Sequence, residues 1–559
     1  MLSTWRFNVK NTAQFTVTTK AFFYFIIFYT MIFQGAYFTT GLFILNIFFV
    51  LYILLHKKSF KMDLNFIVLS IILILSVLSN LFLSINYYTG LAELIKYSLF
   101  PLSYIVFSNT EEKEAIHNAF YHSFILLMLF GLLACLGFSI FPGMVIEKNN
   151  RLQSFLQYAN TTALFMGIGI LLSLDKYFLS KKKIYLLWSL MFAVALFLTQ
   201  SRTTFVIFLF ILTFYLFEFL NKKRKLTFIS VCAIGLFVLF AAGERIVRIS
   251  LVEPTLMERL ITFYDAMKLL ISRPFGIGLG NWQYMQFQYQ SAPYQVRYIH
   301  NTYLQIALDC GLLAFICFLG LTAFVLIRNF RKSIHFYIFA LIILQGLFEV
   351  SFNFGIVIIY FTLVLASLEK TIEFNKFVPL KFTINKKWRY LLVLPLLFLT
   401  VCLISEMYVS KGNREITYDK NKAYTLYVQA QKINPLNKDI LFKKAQIEKN
   451  PMVALNLLEQ CYEHNPYNFQ VLLSLAEGYL FAENFEKSYF YANRLFEVFP
   501  YSKTHQQLVK KVLAEFRKKN MITEENYHAL LTRLNESILE KNQHINPMYK
   551  YINAQMDYN

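Results

Sequence analysis

An all-α, polytopic membrane helix bundle carrying an outward α-helical repeat region is the fold this sequence predicts, and three observations carry the prediction. The chain has 559 residues, of which 57% are hydrophobic. The apolar residues gather in about thirteen runs of helical membrane length. Lys and Arg cluster in the short loops between those runs, where they act as topology determinants. A single soluble core is therefore excluded. The formal charge of +21 raises the question of nucleic acid. With the basic residues accounted for by topology and no aromatic-and-basic groove module in the chain, no nucleic-acid partner is expected. The six cysteines lie in apolar or helical stretches without CxxC spacing, as small core hydrophobes do.

The runs lie near 21–34, 38–55, 64–84, 91–107, 119–140, 160–178, 184–200, 203–220, 226–243, 302–327, 334–349, 351–367 and 389–408. Only Gln34-Gly35 divides the first pair. Residues 1–20 are too polar for a cleaved signal and form a cytoplasmic amino-terminal segment. Numbering the loops alternately puts Lys57-Lys58, Lys181 to Lys183, Lys222 to Lys225, Arg328, Arg331 and the run from Lys370 to Arg389 on one side. That side is cytoplasmic, so the topology is N-in and C-out. The membrane domain is 21–408, with a large outer loop at 244–301.

Three outward segments hold the polar residues suited to chemistry. One places Arg151 ahead of the sixth run and Asn160 at its mouth, and the second, TQSRTTF, sets Arg202 at the outer end of the eighth. A charge there is either a snorkelling anchor or a ligand. The third is the large loop, where Arg245, Arg248, Arg259, Lys268, Arg273 and Arg297 face only four acids. Glu253-Pro254 begins a helix. Leu256, Leu260, Phe263, Met267, Leu270 and Ile271 then recur at helical spacing, opposite Glu258, Thr262 and Asp265. The pattern predicts an amphipathic helix along the outer membrane surface, stopped by Arg273-Pro274, with Arg259 at its edge within reach of lipid phosphate.

Gly276, Gly278 and Gly280 follow. No strand precedes them, which excludes a nucleotide loop. Glycines there let backbone approach closely in a tight, re-entrant turn. Asp309, inside the next run, is expensive in lipid and faces the protein interior, either in a structural pair or in support of the site. Of the nine histidines, only His300 falls on the outward side of the membrane domain.

After the last run the composition turns polar. Small residues stand twelve before Pro435, Pro466 and Pro500 (Ala423, Ala454, Ser488), with Tyr427, Leu458 and Ala492 eight before. That register resembles tetratricopeptide-type repeats over 412–535, followed by a polar tail at 536–559. Such an array binds a protein partner or serves as a spacer.

His300-Asn301, nine intervening residues and Gly311 closely resemble the signature of the bacterial O-antigen ligase and polymerase superfamily, with Ala314 where the family has Gly, Thr or Tyr. TQSRTTF, the Arg151 and Asn160 segment, and Arg259 through RPFGIGLGN resemble further family segments. The resemblance implies a glycosyltransferase of the bacterial inner or plasma membrane that uses no metal and no cofactor. It would move a glycan from undecaprenyl pyrophosphate to the hydroxyl of an acceptor glycan, lipid or protein. His300 would be the base or acceptor aligner, since imidazole titrates nearest neutral pH. Arg202 and Arg259 would hold the pyrophosphate through their planar forks. Arg151, Asn160 and Asn301 would contact substrate, while Gly276, Gly278 and Gly311 shape the backbone. A polysaccharide polymerase and a protein O-oligosaccharyltransferase belong to the same superfamily and stay open. A lipid-linked glycan transporter is the rival from another class, but it would favour internal repeats and midplane charges.

Overall fold

Where lipid replaces water, each backbone amide must find its acceptor within its own segment, so apolar runs of this length fold as helices. The computed structural model describes residues 10–56, 59–218, 254–331, 333–368, 382–384 and 386–549. The run expected at 226–243 and the first part of the large loop, with Arg245 and Arg248, lie outside the described residues. In chain order the helices are α1 (Lys10–Ile32), α2 (Thr39–Leu55), α3 (Leu64–Leu83), α4 (Tyr87–Asn109), α5 (Lys113–Cys135), α6 (Ala159–Ser180), α7 (Ile184–Leu198) and α8 (Arg202–Phe217). The large loop contributes α9 (Pro254–Ser272) and α10 (Trp282–Tyr289). Then come α11 (Thr302–Cys310), α12 (Leu312–Arg328), α13 (Ile334–Gln345), α14 (Gly355–Leu368) and α15 (Val393–Glu415). The polar region forms α16 (Lys420–Ile433), α17 (Asp439–Ala445), α18 (Pro451–His464), α19 (Phe469–Phe481), α20 (Phe485–Val498), α21 (Lys503–Lys518) and α22 (Glu524–Gln543).

Among the described residues α3, α4, α5, α6 and the helix ending at Glu415 are long and apolar enough to cross a membrane, and shorter apolar helices occupy further expected runs. The chain is an all-α membrane protein. Several boundaries differ from the sequence expectation: the run at 21–34 is helical from Lys10, the run at 389–408 continues to Glu415, and two others turn on glycine. The run at 119–140 is helical from Lys113 and stops at Cys135, because Gly137 takes a φ of 98° and turns the chain. The run at 302–327 is two helices, broken where Gly311 adopts φ 87° and ψ 169°. Only glycine adopts that conformation readily.

The described residues form two compact units that interleave in sequence, one drawn from 1–73, 95–241 and 317–399 and the other from 74–94, 242–316 and 400–559. At the centre of the first, α6 and α14 are buried along most of their length. Aromatic side chains knit α5 to both, with Phe124 and Phe165 rings 4.8 Å apart and Phe120 and Tyr360 rings 4.5 Å apart. Two short antiparallel ribbons complete this unit: β1 (Phe60–Met62) on β4 (Phe382–Ile384), and β2 (Val145–Ile146) on β3 (Arg151–Leu152). The second ribbon delivers Arg151.

The second unit joins the large loop to the polar helices. Side-chain oxygens of Asp419, Asn450, Asn468, Asn484, Ser502 and Thr523 cap helices α16 and α18 to α22 in turn. Leu472, Leu475 and Ala476 of α19 pack with Ala492 and Leu495 of α20 and Val512 of α21 in one core. The Phe287 ring of α10 lies 4.2 Å from Phe499 and 5.4 Å from Phe469. Asn546 then ties the last described segment back to the loop, its amide donating to the Ser291 carbonyl at 2.7 Å, while Met548 and Tyr549 pack against the cluster that includes Ile261 and Trp282.

His505 is buried beside Phe499, with ring centroids 5.2 Å apart. Burial lowers its pKa from the ordinary 6.5, and the backbone carbonyl of Phe499 offsets part of that effect. The unfolded chain therefore takes up a proton near pH 6.5 that the folded one refuses, and stability falls as pH drops below that value. Hydrogen exchange of the full chain is expected to show faster opening of α19 to α21 at pH 5.5 than at 7.5. His505→Phe should flatten the difference, and an unchanged difference would remove His505 as its cause.

Candidate functional site

His300 stands half-buried at the entrance of α11, and its backbone neighbours are held on both sides. The amide of Asn301 donates to the Ile299 carbonyl at 2.6 Å, closing a three-residue turn with His300 at its tip. Asn301 is also the N-cap of α11, its Oδ1 accepting from the Leu304 amide at 3.0 Å. The expected substrate contact of Asn301 thus becomes, for its side-chain oxygen, a capping bond. Its job is to start the helix directly after the histidine.

The far end of α11 is fixed by the glycine-rich segment. The Ile277 amide donates to the Leu308 carbonyl at 2.7 Å, and the Leu312 amide donates to the Pro274 carbonyl at 2.9 Å. Gly276 and Gly311 face each other at this crossing. A Cβ on Gly276 would lie 2.7 Å from Leu308 O, one on Gly311 would lie 2.8 Å from Phe275 O, and one on Gly278 would lie 2.5 Å from Leu83 O. Asp309, fully buried, accepts from the Gly280 amide at 3.2 Å and from Gln305 Nε2 at 3.0 Å, while its carbonyl accepts from Ser79 Oγ. Beside this core, Tyr298 donates to the buried Glu93 at 2.6 Å.

Arg259 is half-buried on α9 in the same unit. That helix corrects the expected wheel. Leu256, Leu260, Tyr264, Met267 and Ile271 form an exposed apolar stripe, but Thr262, Asp265 and Leu270 are buried. Asp265 Oδ2 accepts from the Ser291 amide at 2.8 Å and from the Tyr294 hydroxyl at 2.9 Å, which offsets part of the cost of burying the carboxylate. Burial raises the Asp265 carboxyl from its ordinary value, and those bonds draw it part-way back.

The other predicted residues lie in the first unit. Arg151 donates through Nε to the Thr199 carbonyl and through Nη2 to Asn160 Oδ1, both at 2.8 Å. Asn160 Nδ2 donates to Glu349 Oε1 at 2.8 Å, the Tyr158 hydroxyl donates to Glu349 Oε2 at 3.0 Å, and Gln345 Nε2 donates to the Asn160 carbonyl at 3.1 Å. This network ties β3 and the head of α6 to the ends of α7 and α13. Arg151 and Asn160 therefore have framework bonds that a reading of them as substrate ligands did not foresee. Arg202 is exposed at the first turn of α8, two residues before the buried Thr204. Its charge lies at the positive end of the helix dipole.

Sequence reading passed over three buried polar residues that this geometry singles out: Glu349, Gln305 and Glu93. Glu349, at 1% exposure, closes an otherwise apolar run, and the expense of an acid there was the available signal.

Residues 184–319 match the family described as O-antigen ligase. The match takes in Arg202, Arg259, Gly276, Gly278, His300, Asn301 and Gly311, and leaves Arg151, Asn160 and Glu349 outside it. No curated protein and no solved structure matches the chain.

Proposed function

We propose, from the match of residues 184–319 to the family described as O-antigen ligase, that the chain is a membrane glycosyltransferase of the O-antigen ligase and polymerase superfamily with a specific reaction. The enzyme transfers a glycan from undecaprenyl pyrophosphate to an acceptor hydroxyl at the outer face of a bacterial inner or plasma membrane, with the polar helices on that same side. His300 takes the acceptor proton as the hydroxyl oxygen attacks the anomeric carbon. The bond from that carbon to the pyrophosphate oxygen breaks, and undecaprenyl pyrophosphate leaves. Arg202 and Arg259 neutralise the charge it carries away, which is the larger requirement because the leaving group is already good.

The observation that carries this reading is the placement of His300: an imidazole at the tip of a pinned turn, directly before α11, inside the matched residues. The helical array of 412–535 is read as repeats that present a protein acceptor or partner. Purified protein in sealed vesicles, with lipid-linked glycan available and candidate acceptors added only outside, tests the reaction. Mass spectrometry then identifies what receives the sugar. Loss of glycan from its carrier without any glycosylated product would overturn transfer, and movement of intact donor across the bilayer would favour a transporter.

Arg202→Lys keeps the charge and loses the fork. Transfer is expected to fall roughly tenfold or more, since an ammonium cannot make the two parallel bonds that a guanidinium makes to phosphate. Undiminished turnover would remove Arg202 from the pyrophosphate.

A further inference from the structure

A polar relay runs along α11 from the buried Asp309 to the turn that precedes the helix. Asp309 Oδ1 accepts from Gln305 Nε2 at 3.0 Å, and Gln305 Oε1 accepts from the Ile299 amide at 3.0 Å. Both side chains are buried, Asp309 completely and Gln305 at 5% exposure. The two bonds are linked by the chemistry of a primary amide, which has one accepting and one donating end. A carboxylate can only accept, so Asp309 forces the NH₂ of Gln305 toward itself and the oxygen toward Ile299. Without the carboxylate, the amide could rotate and set its NH₂ against the Ile299 N–H, and that bond would be lost.

The Ile299 peptide is also the one whose carbonyl receives the Asn301 amide at 2.6 Å. Its N–H is held by Gln305 and its C=O by the turn, with His300 as the next residue. Asp309 is anchored in turn by the Gly280 amide at 3.2 Å and through its own carbonyl by Ser79 Oγ. The glycine-rich segment is thereby connected to the backbone of the histidine turn through two side chains of one helix.

We propose that Gln305 and Asp309 are positioning residues for His300: Asp309 orients the Gln305 amide, and Gln305 fixes the peptide that aims the imidazole. Neither touches substrate. This assignment rests on the reading of His300 as the base. A displacement of about 1 Å at a reacting group costs on the order of a hundredfold in rate, and a loosened turn acts at that scale.

The test is a cycle of variants in full-length protein, reading transfer from lipid-linked glycan in vesicles. Gln305→Leu in the His300-containing enzyme is expected to lower kcat by about thirtyfold to a hundredfold and to leave KM for donor nearly unchanged. In the His300→Ala background, with imidazole added to support the residual reaction, the same Gln305→Leu change is expected to cost nothing further. Asp309→Asn retains an accepting oxygen and should lose far less than Asp309→Leu.

An equal loss in both backgrounds would show that Gln305 only holds the fold, and would overturn the positioning role. Full kcat in Gln305→Leu would overturn it as well. If His300→Ala itself transfers at full rate, the reading of the base fails instead, so the two failures are separable.

Discussion

Replacement of His300 by alanine is expected to reduce glycan transfer by roughly two to four orders of magnitude, the contribution typical of a positioned general base. Protein level and thermal stability should stay near those of the parent. The side chain sits half-buried at the tip of its turn, whereas the bonds that build the turn come from Ile299, Asn301, Leu304 and Gln305. Removing the imidazole leaves all of them in place. His300→Gln separates two roles: an amide can align a hydroxyl by hydrogen bonding and cannot take its proton near neutral pH. If alignment were the whole contribution, His300→Gln would keep most of the rate. Detergent-solubilised protein assayed at equal monomer concentration gives the comparison, and full transfer by the alanine variant would end the base assignment.

The second large effect is on folding. Gly311→Ala is expected to destabilise severely, because φ 87° with ψ 169° is a region that alanine enters at a cost of about 1–3 kcal/mol. The added carbon would also meet the Phe275 carbonyl oxygen at 2.8 Å, with Phe275 C at 2.9 Å. Backbone cannot yield there as a flexible side chain would, since the Leu312 amide holds the Pro274 carbonyl. Gly276→Ala meets the same crossing from its other side. Gly320 supplies the control: it has open space around its missing Cβ, so Gly320→Ala should leave the melting temperature unchanged or slightly raised. Equal melting temperatures for Gly311→Ala and Gly320→Ala would contradict the crossing.

Much of the fold was legible because apolar length and loop charge are local properties. The break at Gly311 was less so. The run at 302–327 reads as one continuous apolar helix, and only the backbone of Pro274 to Ile277, some thirty-five residues upstream, shows why it must divide. Asn301 could have been read as a cap, since it stands directly before a helical pattern. The wheel of α9 misled for a physical reason. Thr262 and Asp265 looked solvent-facing from their chemistry, but Ser291 and Tyr294 supply hydrogen bonds that let an acid be buried. Arg151 and Asn160 stand out by their place ahead of the sixth run and by the family segment they resemble, while their bonds to Thr199 and Glu349 depend on folded distances that the letters do not encode. Gln305 and Asp309 stand four apart on one helix face, a visible pair. Their partners, the amides of Ile299 and Gly280, are invisible in letters.

The aromatic contact of Phe287 with Phe469 and Phe499, and the bond from Asn546 to Ser291, bear on how such an enzyme can be re-engineered. A carboxy-terminal array lifted from a homologue would arrive without the sockets that receive it. Chimeras exchanged at the end of the last membrane helix are thus poor candidates for altering acceptor choice. Grafts that carry residues 282–294 and Asn86, which donates to Asp439 at 2.8 Å, along with the array keep these contacts.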